Sequence, residues 1–118
     1  HAGMMVALPV QKAMTIALAD DAHVATQRSR YNSRRASLKP ALIAAGFTID
    51  ESAAGLYLWC TRHEDSWQSV DWLAGLGILA TPGSFYGADG SQHIRIAMTA
   101  TDEAIADASS RILAAVQG

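Results

Sequence analysis

The sequence predicts an α+β fold: a small, mostly antiparallel sheet of about four strands with helices on one face, preceded by a long helix. Three observations carry this. Residues up to about Ala45 have helical periodicity. From Phe47 onward, short apolar or alternating runs are separated by turns and one loop. A last helical stripe follows. The order from Phe47 reads β-β-α-β-β-α.

The segment from His1 to Leu8 is apolar, has Gly3 and no clear period, and reads as an irregular lead-in. Pro9 suits the first turn of a helix, where its missing donor is not needed. Val10, Ala13, Met14, Ala17 and Leu18 then follow helical spacing, which predicts an amphipathic helix of about three turns. Asp20 or Asp21 caps a second helix, and this pair is the candidate domain boundary.

The second helix runs from His23 to Ala45. Val24, Tyr31, Leu38 and Leu42 form a narrow seam, as in a helix that bridges two units. Arg28, Arg30, Arg34, Arg35 and Lys39 give it a basic, solvated face. Pro40 bends it or marks a new turn. Gly46 ends it as a left-handed cap.

Phe47 to Asp50 reads as a short strand, and Glu51 to Ala54 as a turn. Gly55 to Cys60 (GLYLWC) is a continuous apolar run, expected at the centre of a sheet. Glu64, Asp65 and Ser66 give helix-start chemistry. Trp67, Val70, Leu73 and Ala74 mark the buried face of that helix, and Gly75 and Gly77 end it. Trp67 and Trp72 lie on different faces, so at least one is expected in the core. Ile78-Leu79-Ala80 and His93 to Met98 read as the last two strands. Thr99 and Asp102 have the spacing of a capping box. Ile105, Ala108, Ile112 and Val116 stripe a final helix expected to cover the sheet.

The chain has 118 residues, half of them hydrophobic, and a net charge of −2. That composition supports one packed core and excludes a polyanion-binding surface, so neither nucleic acid nor membrane is expected as a partner. The single cysteine, Cys60, excludes an internal disulfide framework and fits a reducing, cytoplasmic setting. Cys60 and His63 are spaced like two metal ligands, but His23 and His93 supply no partners at suitable spacing, so no metal is expected. Gly83, Gly87 and Gly90 match no phosphate-cradling fingerprint, because no Lys-Ser/Thr follows and no helix opens there.

Arg95 is the principal candidate for binding. In His93 to Met98, Ile94, Ile96 and Met98 share one face, and His93, Arg95 and Ala97 share the other. Arg95 is therefore a guanidinium held mid-strand and pointing away from the apolar face. Its planar fork suits a carboxylate or phosphate. The bland alternative is a surface arginine paired with a neighbouring carboxylate. The loop from Pro82 to Gly90 precedes it, and its glycines are expected to let the backbone approach a ligand closely.

The motif GIL-x-TPG-x-x-FYG followed by IRIAMT resembles the C-terminal domain of pyridoxal-phosphate (PLP) aminotransferases of the aspartate-aminotransferase type. PVQKAMTIAL is similar to the helix that follows the cofactor lysine in that family. DDAHVATQRSRYNSRRASLKPALIAAGF is similar to the helix joining the large and small domains, and AGLYLW to a strand near the substrate mouth. In detail the sequence is most similar to the N-succinyldiaminopimelate aminotransferases of actinobacteria, enzymes of lysine and diaminopimelate biosynthesis that act as homodimers on amino acids and 2-oxo acids.

The resemblance implies that Arg95 grips the substrate α-carboxylate and that Gly83, Phe85 and Tyr86 shape one wall. It implies a division into residues 1–19, a remnant of the large cofactor-binding domain, and residues 20–118, the small domain with the interdomain helix. The two lysines, Lys12 and Lys39, stand in no Ser-x-Ser-Lys-like segment. No catalytic and no cofactor-binding residue is therefore expected in this chain. As a fragment beginning at His1, it is expected neither to hold PLP nor to transaminate alone. Residues 1–19, lacking the large domain, are expected to favour dimerisation. The alternative is a free-standing α+β regulatory module that binds an amino acid unaided, since the element order also resembles small amino-acid sensors.

Overall fold

The computed structural model describes residues 5–118. The elements are α1 (Leu8–Leu18), α2 (Asp21–Ala44), β1 (Thr48–Asp50), β2 (Tyr57–Thr61), α3 (Ser66–Gly75), β3 (Thr81–Pro82), β4 (His93–Ala97) and α4 (Asp102–Gln117). Two 3₁₀ turns, Gly83–Tyr86 and Ala88–Gly90, occupy the loop between β3 and β4. The first four residues of the expected irregular lead-in lie outside the described residues.

The sheet has the order β1-β2-β4-β3, and every pairing is antiparallel. Period-two alternation makes it two-faced. Leu58, Cys60, Ile94 and Ile96 point to the core, with α2, α3 and α4 packed over them. Tyr57, Trp59, His93 and Arg95 point to the other face. Leu38, Leu42, Leu58, Leu73, Ile94 and Ile112 are fully or almost fully buried, each stabilising the fold by about 1.5–3 kcal/mol relative to exposure. The expected α+β architecture is the observed one, and GLYLWC supplies a central strand as its composition indicates.

Local capping chemistry sets the helix ends. Asp20 accepts from the amides of Ala22 and His23 and starts α2. Gly46 has φ +85, which an L side chain rarely adopts. Its amide donates to the Ile43 carbonyl, and that of Phe47 to the Leu42 carbonyl. These two bonds satisfy carbonyls the helix leaves open, and they drop Phe47 into the core beside Leu42. Gly77 (φ +70) ends α3 in the same way. Helix α2 continues through Pro40.

Several expectations are corrected. The strand expected at Ile78-Leu79-Ala80 forms instead at Thr81–Pro82. The Ile78 amide is taken by Leu73 in the end of α3, and Leu79 is 92% exposed. The cap of α4 is Thr101, whose hydroxyl accepts from the Ala104 amide, rather than Thr99. The buried face of α3 is Ser66, Ser69, Val70 and Leu73, leaving Trp67 and Ala74 exposed. Trp72 is the tryptophan of that helix that packs on the core, against Phe47.

The basic face of α2 is only partly solvated. Arg35 is buried and donates to Asn32 Oδ1 and to the Gly55 carbonyl. Arg34 bridges Asp102 and the Met98 carbonyl. Helix α4 packs along α2 and sets Ile105 and Ile112 into the same core as the inward residues of the sheet, while Val116 is exposed. No residue of α1 is buried. Among the described residues, no helix is long and apolar enough to cross a membrane.

Candidate functional site

Strand β4 carries Arg95 between two neighbours. Its register sets Arg95 opposite Trp59 of β2 and opposite Thr81 of β3. Asp50 of β1 lies opposite Trp59. The row Asp50, Trp59, Arg95, Thr81 therefore crosses the sheet on the face turned away from the helices, where the alternation places Arg95.

The Arg95 guanidinium is held by aromatic rings. Its Cζ lies 4.3 Å from the centre of the Tyr57 ring and 5.4 Å from that of Tyr86. Both distances are within the reach of cation–π attraction. Its Nη2 donates to Thr81 Oγ1 at 3.4 Å, a long bond, and its Nε is buried without a partner. Among the described residues no carboxylate lies within 4 Å of it. Asp50, the acid in the same row, is engaged by His93 Nε2 at 3.0 Å. The surface-carboxylate alternative therefore has no partner here, and the cation is left free to meet an anion.

Behind the guanidinium the rings continue. Trp59 stacks on His93 with centroids 5.1 Å apart and planes 6° from parallel. Tyr86 meets Trp59 edge to face at 5.8 Å. Phe85 meets Trp67 in the same manner at 5.8 Å. A cleft of about 410 Å³ runs over the edge strand between Arg95, Thr81, Phe85 and Trp67.

Two of the loop glycines, Gly83 and Gly90, are packed against protein atoms. A Cβ on Gly83 would fall 2.3 Å from the Gly90 carbonyl oxygen and 2.8 Å from the Trp59 ring. The absent side chains let the loop close on itself and on Trp59. Gly83 is accordingly buried, whereas Phe85 and Tyr86 are exposed.

A larger cavity, about 670 Å³, lies between α2 and the β1–β2 connection, lined in part by Arg28, Arg35 and Gly55. Its buried cation is already committed, because both terminal nitrogens of Arg35 have protein acceptors. The Nη groups of Arg95 have only Thr81, so the smaller cleft has the stronger claim to an anionic ligand.

Neither lysine lines the cleft at Arg95. Lys12 is exposed on α1, and Lys39 sits on α2, its charge acting on Cys60 on the core face. The cleft offers a cation for a carboxylate but no amine for a Schiff base, so the residues present do not fit covalent attachment of PLP. Cys60 is no nucleophile either. Burial, with a smaller push from the charge of Asp50 and slight relief from Lys39, raises its thiol to about 12, so it stays protonated at neutral pH.

Sequence reasoning found Arg95 and Tyr86 but not Tyr57, Trp59, Thr81 or His93 around them. Alternation within GLYLWC carried a signal, because it sets Tyr57 and Trp59 on one face as it does His93 and Arg95 in β4. The register that brings these faces together is long-range and has no local mark.

The family model for "Aminotransferase class I and II" matches residues 1–112. The chain is 60% identical over 112 residues to a "Probable aminotransferase Rv1178" of Mycobacterium tuberculosis, covering 95% of this chain and 27% of that protein. It is 56% identical over 112 residues to the "4-dedimethylamino-4-oxo-anhydrotetracycline transaminase OxyQ" of Streptomyces rimosus, covering 95% of this chain and 31% of that one. An "LL-diaminopimelate aminotransferase" of Oleidesulfovibrio alaskensis is 37% identical over 108 residues, with coverages of 87% and 28%. The chain thus spans less than a third of the length of these curated relatives. In fold it is similar to an aromatic aminotransferase from Pyrococcus horikoshii, with a TM-score of 0.79 at 23% identity over 92% of this chain and 31% of that one.

Proposed function

The chain belongs to the aminotransferase class I and II family, and we propose that it forms the small-domain part of a PLP-dependent transaminase in which Arg95 binds the substrate α-carboxylate. One observation carries this reading: the Arg95 guanidinium lies within cation–π reach of two aromatic rings and faces no carboxylate among the described residues. Two parallel N–H···O bonds from a fixed fork orient a carboxylate as a point charge cannot. Fixing the carboxylate fixes the bond at the neighbouring carbon relative to whatever reacts with it. Phe85 and Tyr86, exposed beside the cleft, form a wall that excludes water from the bound carboxylate, with Gly83 beneath them.

The Schiff-base lysine and the remaining cofactor contacts belong, in this proposal, to sequence that the relatives carry beyond the matched region. Residues 1–19 belong with the cofactor domain and residues 20–118 with the small domain. The absence of any buried residue in α1 supports that division. The assembled enzyme is a cytoplasmic homodimer.

For the substrate we propose N-succinyl-LL-diaminopimelate with 2-oxoglutarate as its partner. The sequence patterns and the diaminopimelate-acting relative support it. The test is transamination by the full-length protein supplied with PLP, with N-succinyl-LL-diaminopimelate, LL-diaminopimelate and a tetracycline ketone compared. Preference for either of the last two overturns the substrate proposal. Arg95→Lys is expected to raise KM for the amino and 2-oxo acids about 100-fold, the loss of one bidentate charged contact. An unchanged KM would sink the role of Arg95.

A further inference from the structure

We infer that Tyr57 and Tyr86 are positioning residues that fix the plane of Arg95 so that only its Nη1–Nη2 end is offered to a carboxylate. The inference rests on the carboxylate-binding role of Arg95 and adds how the cation is held. An arginine side chain has many rotamers. Facing open space from mid-strand, it would lose that freedom on every binding event. Two ring faces at 4.3 and 5.4 Å hold the guanidinium before the ligand arrives.

The rings are themselves placed. Tyr57 sits opposite Ala97, so its ring leans diagonally onto Arg95, a reach that aromatic side chains span across a sheet. Tyr86 rests edge-on against Trp59, which is stacked on His93, which is tied to Asp50. Gly83 closes beneath Trp59 with no room for a Cβ. The aromatic support is therefore anchored to three strands and to the loop.

The nitrogens then divide. Nε is buried and unreachable, Nη2 touches Thr81 at one side, and Nη1 is not buried and has no partner among the described residues. A carboxylate meets the fork end-on, through both Nη groups, and a side-on approach through Nε is closed.

The experiment compares Tyr57→Leu and Tyr86→Leu with Tyr57→Phe and Tyr86→Phe, each with Arg95 intact and in an Arg95→Lys background. KM and kcat for glutamate are read in the holoenzyme that carries this sequence. The order parameter of the Arg95 Nε–Hε group is read by ¹⁵N relaxation in the same holoenzyme. Each Leu variant is expected to raise KM about tenfold, with the loss carried by KM rather than kcat. The Phe variants keep the ring and recover most of that loss. Nε–Hε order falls in the Leu variants alone, and in the Arg95→Lys background the Leu substitutions add less than about twofold.

Leu variants with wild-type KM and order, while Arg95→Lys still raises KM, overturn this inference and leave the role of Arg95 standing. A Leu effect of equal size in both backgrounds also overturns it, since the rings then act independently of Arg95. If Arg95→Lys itself leaves KM unchanged, the underlying reading falls as well.

Discussion

Gly83 and Gly90 close the loop by direct backbone approach: a Cβ on either would lie 2.3 Å from the carbonyl oxygen of the other. Backbone atoms cannot step aside as a flexible side chain can. Gly83→Ala is therefore expected to destabilise the protein by about 2–3 kcal/mol and to loosen Trp59 and Tyr86. Gly87→Ala is the contrast. Its φ is +119 but the space around it is open, so it costs backbone strain of about 1–2 kcal/mol and leaves Trp59 in place. Urea unfolding of both variants, with Trp fluorescence as the local readout, checks the ranking. A Gly83→Ala protein of wild-type stability would show that the loop closes another way.

Cys60 is expected to resist alkylation in the native protein. Its thiol is held near 12 by burial, so the reactive thiolate is scarce at neutral pH. The folded value lies above the model-compound 9.0, so the stability contributed by the neutral thiol is whole below about pH 9 and is lost as pH rises toward 12. Iodoacetamide labelling at pH 8 should follow global unfolding. Fast labelling of the folded protein would contradict the burial.

The local features of this fold were legible because their causes are local. Asp20, Asp65, Gly46 and Gly77 mark helix ends through bonds made within a few residues. Alternation alone turned Arg95 away from the core. Where the cause lies elsewhere in the chain, reading by pattern failed. The edge strand falls at Thr81–Pro82 because β4 dictates the pairing, and Pro82 is tolerated because an edge strand has only one neighbour to satisfy. Ser66 and Ser69 are buried because Ser84 and Glu64 supply their hydrogen-bond partners, which apolar periodicity cannot register. Thr99 and Thr101 are equally good caps in isolation, and only the path of the chain chooses between them. The ring support of Arg95 depends on the β2–β4 register in the same way.

Helix α1 is expected to contribute to association and not to folding stability. Leu8, Ile16 and Leu18 are each more than 60% exposed, and no residue of the helix is buried. Ile16→Gln should change the unfolding free energy by less than about 0.5 kcal/mol, the usual size for a surface position. An exposed apolar helix at high concentration is expected to pair with a second copy. Sedimentation should show a concentration-dependent larger species for the wild type and less of it for Ile16→Gln. A strictly monomeric wild type would contradict this.

Glu64 should make the protein acid-labile through a cluster at the start of α3. Arg62 lies over the rings of Phe47 and Trp72, at 5.2 and 4.8 Å, and donates from Nε to Glu64 Oε1 at 2.8 Å. Ser69 Oγ donates to the same oxygen at 2.6 Å. Burial pushes the Glu64 carboxyl up, but the bonds from Arg62 and Ser69, with the charge of Arg62, outweigh it and hold the group below its ordinary value of 4.5. A depressed folded value stabilises the native state wherever the unfolded chain would be ionised. That stability is whole above about pH 4.5 and is lost as pH falls through the folded value. Glu64→Gln keeps an acceptor and removes the charge, so it should cost about 1 kcal/mol at pH 7 and flatten the stability profile below pH 4.5. Unfolding free energies between pH 3 and 7 for the two proteins test this. Parallel profiles would mean that the Arg62–Glu64 contact contributes nothing that depends on charge.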